Sequence, residues 1–419
     1  MARKNKRNRN RKNKGHNKQN NKQKIQQDIT HFIFKPIDTW FFKESRSMDS
    51  SGSNMLVSLF PPPSKTLLGA IRSQIGEKYH TKHNTTWDDF NKKCGLAEII
   101  GYGDNYAHLQ IQGAWLYNHD KKQLYFPAPA NLLRQGDKKE GDYAFFTIGK
   151  EIESDLGKVK FAQLDFKKEQ SPLENHYISC TEFNKVLNGK APTSTTAITD
   201  IVSKESRLGI ARDAKTHNVE QGKLYQTEHV RIHNDWSVYL GLTATIKNRQ
   251  FLPDANIILR LGGEARMASL THVKNVSLPI IPSIPHSQAT VGLVIYLMSP
   301  LPDYRKNKSS PPLPNATFAK NEAGLWQGKI SDKNITIKTA IVGKLFRLGG
   351  WDMVRHQPQA VQSYIPAGSC WYIKAQDRES AQTIIDKLHK HYLTTGNDRA
   401  LGYGQIAIGI QPLNTEDEK

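Results

Sequence analysis

The run GSCWYIKA (368–375), DRESAQTIIDKLHKHYL (377–393), ALGYGQIAIG (400–409) decides the fold, because its periodicity changes twice within about forty residues. The first segment is apolar, aromatic and of strand length. The second has the period of a helix: Asp377 is placed to cap it, Ala381, Ile384, Ile385, Leu388 and Tyr392 share one face, and Gly396 follows its end. The third is a glycine turn running into a final apolar strand, and IKTAIVGKLFRLGGWDM (337–353) precedes all three. A similar succession occurs earlier in the chain. There the hairpin 207–232 is followed by the apolar WSVYLGLTATI (236–246), a short helix near PDANIILR and the glycine turn LGGEARMASL (261–270). With strands at 29–42 and 289–298 placed in front, each half reads as a βαββαβ unit, although no pattern marks the first helix of the second half. The expected fold is α+β, two tandem ferredoxin-like (RRM-like) domains with insertions. The N-terminal domain spans 25–278, with an insertion of irregular β-structure at about 80–200. The Pro-rich PIIPSIPHS (279–287) is a linker, and the C-terminal domain spans 288–419.

The helix of the first unit is read from FPPPSKTLLGAIRSQIG. Pro61–Pro63 exclude helix before Ser64, Ser64 is the expected N-cap, Leu67, Leu68, Ile71 and Ile75 form one face, and Gly76 is the expected stop. Lys65 lies in its first turn, where backbone N–H groups favour an anion, and Arg72 lies near its other end.

The 419 residues carry 59 Lys and Arg against 39 Asp and Glu, a net charge of +20. Residues 1–24 hold eleven of the cations and no acid, so the rest of the chain still carries +9. That tail is too poor in apolar residues to fold and is expected to be disordered. The overall balance points to nucleic acid or another polyanion as partner. VGLVIYLM (291–298) is the longest apolar run and is too short to span a bilayer, so a soluble cytoplasmic protein without a membrane partner is expected. Cys94, Cys180 and Cys370 are odd in number and scattered, as buried thiols would be, with neither a disulfide framework nor a zinc knuckle.

Within RLGIARDAKTHNVEQGKLYQTEHVRI (207–232), a strand over 223–232 places Lys223, Tyr225, Thr227, His229 and Arg231 on one face. Leu224, Gln226, Glu228, Val230 and Ile232 fall on the other. A basic, aromatic face suits RNA, since cations neutralise phosphates and rings stack on bases. A solvated outer face is the plain alternative. The glycine turns LGGEAR and LGYGQI each permit positive φ or close backbone approach, and their exposed N–H groups are candidates to hold phosphate oxygens. Neither is a P-loop or a GxGxxG opening a helix. Nor does GYGQIAIG match the RNP1 strand of an RRM, which wants a basic residue where Leu401 stands and rings where Gln405 and Ile408 stand. The histidine pairs 229/233, 80/83 and 389/391 lack a second ligand pair at zinc spacing, so neither a metal site nor a cofactor is expected. His229 beside Tyr225 and Arg231 leaves metal-independent acid–base cleavage of RNA open.

FKPIDTWFFKESR, FPPPSKTLLGAIR, the 207–231 segment, LRLGGEAR, GKLFRLGGWDM, YIPAGSCWYIK and ALGYGQIAIG resemble, in that order, the motifs of a known family. It is the third Cmr subunit, a repeat-associated (RAMP) protein of type III-B CRISPR effector complexes. The resemblance runs from about residue 32 to 410. It implies a non-catalytic scaffold that binds the repeat-derived 5′ handle of the guide RNA and contacts the large polymerase-like subunit and the backbone RAMP subunit. Carried onto this chain, it places Lys65, Arg72, Arg207, Arg212, Gly262, Gly263, Arg266, Gly402, Tyr403 and Gly404 toward RNA. The ribbon residues Lys223, Tyr225, His229 and Arg231 are added by the strand reading. The alternative is a RAMP endoribonuclease that processes repeat RNA; GGWDM and PAGSCWY favour the scaffold.

Overall fold

The computed structural model describes residues 29–45, 55–90, 95–136, 142–154, 157–163, 169–212, 219–245, 249–285, 292–305, 313, 318–321, 325–352 and 356–411. The basic tail 1–24, Cys94 and the end of the linker lie outside them, as do the side chains of Arg212, Lys223 and Tyr225.

The elements that build the frame are, in chain order, β1 (Ile29–Pro36), α1 (Ser64–His83), β2 (Gln110–Asn118), α2 (Cys180–Leu187), the paired strands β3 (Val202–Arg212) and β4 (Val219–Ile232), β5 (Trp236–Thr243) and β6 (Met267–His272). Then follow β7 (Gly292–Leu297), β8 (Lys333–Ile341), β9 (Cys370–Lys374), α3 (Arg378–Leu388) and β10 (Ile406–Ile410). In the first lobe the central strands lie in the order β2–β5–β1–β6, all neighbours antiparallel, with Phe32 of β1 opposite both Leu240 and His272. In the second, β8–β9–β7–β10 have the same order and sense. The two halves therefore repeat one arrangement of strands.

The strand that completes the first sheet is not the one the sequence suggests. The position expected for the 207–232 hairpin is taken by β2, from inside the expected insertion, and β3–β4 form a separate ribbon. Period-two alternation misses β2 for two reasons. Both its faces are covered, and a bulge between Gly113 and Trp115 shifts the register, so Ile111 and Leu116 both pack on the α1 side. Trp115 and Tyr117 pack on the other side. Gly113, at φ +108, leaves no room for a Cβ beside the Tyr239 carbonyl.

Helix α1 buries Leu67, Leu68, Ile71 and Ile75 as its spacing predicts, but Pro63 holds the cap position and Ser64 is the first helical residue. The helix also runs past Gly76 to a left-handed Asn84; Gly76 is not a stop but makes room for the Trp87 ring, which lies where a Cβ at position 76 would stand. Helix α3 is capped by Asp377, which accepts from the Ser380 N–H at 2.7 Å, and buries Ala381, Ile384, Ile385 and Leu388. It ends before Tyr392, which bridges to Gln405 instead, and Gly396 opens a new short helix (Gly396–Ala400) rather than closing this one. The helix expected near PDANIILR is the edge strand Ile257–Arg260. Among the described residues between β7 and β8 there is no helix, and the strand Trp326–Ile330 pairs with β8.

The two sheets share a core. Ile33, Trp115 and Tyr239 of the first meet Val294, Tyr296 and Tyr372 of the second, and α2 contributes Phe183, Val186 and Leu187. Trp115 Nε1 donates to the Met298 carbonyl at 2.9 Å. The buried Asn131 amide donates to both Tyr296 and Tyr372 hydroxyls, at 3.2 and 3.0 Å. The linker is docked across this junction. Ile280 and Ser283 N–H groups donate to Asn184 and Asn188, and Arg378 donates to the Ile284 carbonyl at 2.8 Å. Cys180 and Cys370 are buried thiols, their pKa raised by burial to about 11 and about 12.

Candidate nucleic-acid interface

The ribbon is fastened at its base. Val202 lies opposite Ile232, β4 also pairs in parallel with the short strand Met55–Val57, and Trp40 and Val230 exchange two backbone hydrogen bonds of 2.8 Å. Farther out, Leu208 is 73% exposed.

Val230 and Ile232 are buried, as expected of the core face. The opposite face does not stay open at this end, and that expectation is corrected: Thr227 and His229 are buried too. The segment 38–42 and the turn 262–266 fold over them. The Phe41 ring stacks on His229 at 5.2 Å, Thr39 Oγ1 lies 3.2 Å from its Nδ1, and Glu264 Oε2 lies 3.0 Å from its Nε2. Burial is the main cause that lowers the His229 pKa, and the nearby Arg266 lowers it further against the pull of Glu264. His229 is thus a buried residue of the ribbon base and is not presented at the surface.

At the rim beside it, three arginines from three segments converge. Arg231 Nη2 lies 2.7 Å from Asp38 Oδ1, Arg207 Nη2 3.0 Å from Asp38 Oδ2, and Arg266 Nη1 3.4 Å from the same oxygen. Glu205 takes Arg231 Nε and lies 3.3 Å from Arg207 Nη2; Glu264 lies 3.7 Å from Arg266. Hydrogen bonds from Arg231, then Arg207, hold the Asp38 carboxyl below its ordinary range, and Arg231 is the first cause of the same shift at Glu205. Arg207, Arg231 and Arg266 were legible as candidates. Asp38, Glu205 and Glu264 were not, because nothing in the sequence brings KPIDTW to the base of a ribbon almost two hundred residues away.

The two glycine turns are not equivalent. Gly262 (φ +102) would place a Cβ 3.0 Å from the Phe41 carbonyl, and the Gly263 N–H donates to that same oxygen at 2.8 Å. This turn lies at the surface and carries Arg266 into the cluster. The second is inside: Gly402, Tyr403 and Gly404 are all buried, and a Cβ on Gly402 would lie 2.7 Å from the Ile111 carbonyl of the other lobe. Gly402 and Tyr403 pack the lobe junction, Gly404 packs on Leu301 and Thr394 within its own lobe, and none of the three faces solvent, contrary to the expectation. The reason is that Leu401 and Tyr403 join the apolar core of the first sheet, in one cluster with Ile111 and Leu116 of β2.

Lys65 lies at the start of α1, 2.6 Å from Asp104 Oδ1 and 2.9 Å from Gln359 Oε1, so it joins the two lobes. Arg72 donates to the carbonyls of Gly103 and Asn105 and lies 5.2 Å from the centre of the Tyr106 ring. Burial lowers its pKa. Neither is gathered with the ribbon arginines. Among the described residues no group of three or more His, Cys, Asp or Glu could hold a metal ion, and no helix is long and apolar enough to cross a membrane.

A family model described as CRISPR-associated protein (Cas_Cmr3) matches residues 32–411. The chain belongs to the Cas_Cmr3 family. No curated protein matches it. Among solved structures, this Cas_Cmr3 chain is similar to one in the type III-B Cmr-beta complex bound to cognate target RNA, at 14% identity and TM-score 0.45, covering 90% of this chain and 96% of that one. It is similar also to one in the same complex with target RNA and AMPPnP (14%, TM-score 0.43, 85% and 89%). A third likeness is to one in a Csm3–Csm4 subcomplex of the type III-A interference complex (12%, TM-score 0.35, 92% and 99%).

Proposed function

We propose that this chain is a non-catalytic RNA-binding scaffold of a type III-B (Cmr) CRISPR effector complex, a cytoplasmic RAMP protein of two ferredoxin-like units. It binds the 5′ handle of the guide RNA and contacts the large polymerase-like subunit and the backbone RAMP subunit. The family supports the setting, and the repeated strand order, second–third–first–fourth, supports the ferredoxin-like reading. The observation that carries RNA binding is the convergence of Arg207, Arg231 and Arg266 at the base of a projecting ribbon, in a chain of net charge +20. Arginine forks match phosphate oxygens and form the phosphate half of such an interface; Gly262 and Gly263 border it, Arg212 on β3 and Lys223 and Tyr225 on β4 continue it along the ribbon, and Lys65 and Arg72 make a separate basic point. The endoribonuclease alternative loses its best base, since His229 is buried under Phe41.

Two assays test this. In a titration with guide RNA, replacing Arg207 and Arg231 together by Ala should weaken binding while the fold is retained; unchanged affinity would refute the interface. Incubating the purified chain with repeat RNA in EDTA should leave the RNA intact; cleavage would establish the alternative.

A further inference from the structure

The arginine cluster is already occupied. Asp38 touches all three arginines, and it is the most exposed acid of the group at 48%, against 33% for Glu205 and 32% for Glu264. Its backbone is held on both sides: the Ile37 N–H donates to the Met267 carbonyl at 3.1 Å and the Trp40 N–H to the Val230 carbonyl at 2.8 Å. Its side chain is about half exposed to solvent. The three arginines and three carboxylates sum to zero formal charge, so these six side chains by themselves exert little long-range pull on a polyanion.

We propose that Asp38 occupies the place of an RNA phosphate, an intramolecular competitor that single-stranded RNA must displace to reach Arg207, Arg231 and Arg266. This rests on the RNA-binding reading above. A carboxylate and a phosphodiester offer guanidinium groups the same kind of acceptor oxygens, and exposed ion pairs are individually weak, so exchange is readily reversible. The competitor works as a filter. RNA held at other points of the chain makes up the loss of the Asp38 contacts, whereas RNA touching only this cluster does not, and selectivity is gained by penalising the wrong partner.

The test uses the full chain and fluorescence anisotropy with two labelled probes, an oligouridylate and a guide RNA with its repeat-derived 5′ sequence, each over a series of salt concentrations. Asp38→Asn should bind the oligouridylate about three- to tenfold more tightly. Its plot of log affinity against log salt should steepen by up to about 0.7 for each phosphate gained. The gain for guide RNA should be smaller. Asp38→Glu, which keeps the charge, should behave as wild type. Asp332→Asn removes an exposed acid paired with Lys333 in the turn before β8, and should not reproduce the gain. In an Arg231→Ala background the Asp38→Asn gain should shrink, since neighbouring changes that share a partner do not add. Thermal melts accompany each variant, and Asp38→Ser repeats the measurement if the amide disturbs the loop. The inference is overturned if wild type binds both RNAs and the neutral Asp38 variants bind the oligouridylate equally well or less well, or if Asp332→Asn matches them. If wild type binds neither RNA, the RNA-binding reading falls and this inference with it.

Discussion

Replacing Gly402 by Ala separates a structural from a ligand-facing role for the second glycine turn. Gly402 has φ +73, where an L residue costs about 1–2 kcal/mol. Its new Cβ would also lie 2.7 Å from the Ile111 carbonyl, a backbone atom that cannot rotate away, so the two lobes must part by a few tenths of an ångström. Disturbing a packed core in this way costs about another 1–3 kcal/mol, giving about 2–5 kcal/mol in all. Gly396 supplies the control, since it too has positive φ (+56) but nothing stands within 4 Å of its Cβ, so Gly396→Ala pays the conformational term alone. Urea unfolding of both variants, followed by tryptophan fluorescence with Trp115 at the junction, gives the difference directly. Equal midpoints would refute the close approach. A Gly402→Ala protein that unfolds like wild type but loses RNA affinity would return this turn to the interface.

Two further outcomes follow from the geometry. Val230→Ala and Ile232→Ala should each destabilise the chain by about 1–4 kcal/mol, as buried aliphatic truncations do, whereas Arg231→Ala should leave the melting temperature nearly unchanged and weaken RNA binding; melts and a titration on the three variants check this. Burial is the first cause holding His31, His119, His229, His389 and His391 below the ordinary imidazole pKa, so below about pH 6.5 the unfolded chain binds more protons than the folded one. Stability should therefore fall as pH drops through that window, and His389→Gln should flatten the decline measured by denaturant titration at stepped pH.

Where one local signal governed, the sequence was readable. Asp377 followed by apolar residues at helical spacing describes the start and buried face of α3 as far as Leu388 but not its end, and the buried Leu67–Ile75 face describes the first part of α1. Alternation failed at β2, where a bulge and two covered faces erase it, and at the base of β4, where a loop and a turn from distant segments cover what the strand alone would expose. The glycines were legible as special positions, but not as one surface turn and one buried turn, because that distinction is made by the packing of one lobe on the other. The candidate site divides in the same way. Its arginines announce themselves by type, and its carboxylates become partners only through topology.

The docked linker has a mechanical consequence. A proline-rich connection that hung free would let the two sheets swing, and each lobe would meet its neighbours independently. Here Asn184, Asn188 and Arg378 clamp the connection, and Trp115, Tyr296 and Tyr372 share one interior across the seam. The molecule accordingly behaves as a gauge block: whatever grips one lobe fixes the position and heading of the ribbon on the other. Spacing between the surfaces it offers is set at folding rather than chosen at assembly.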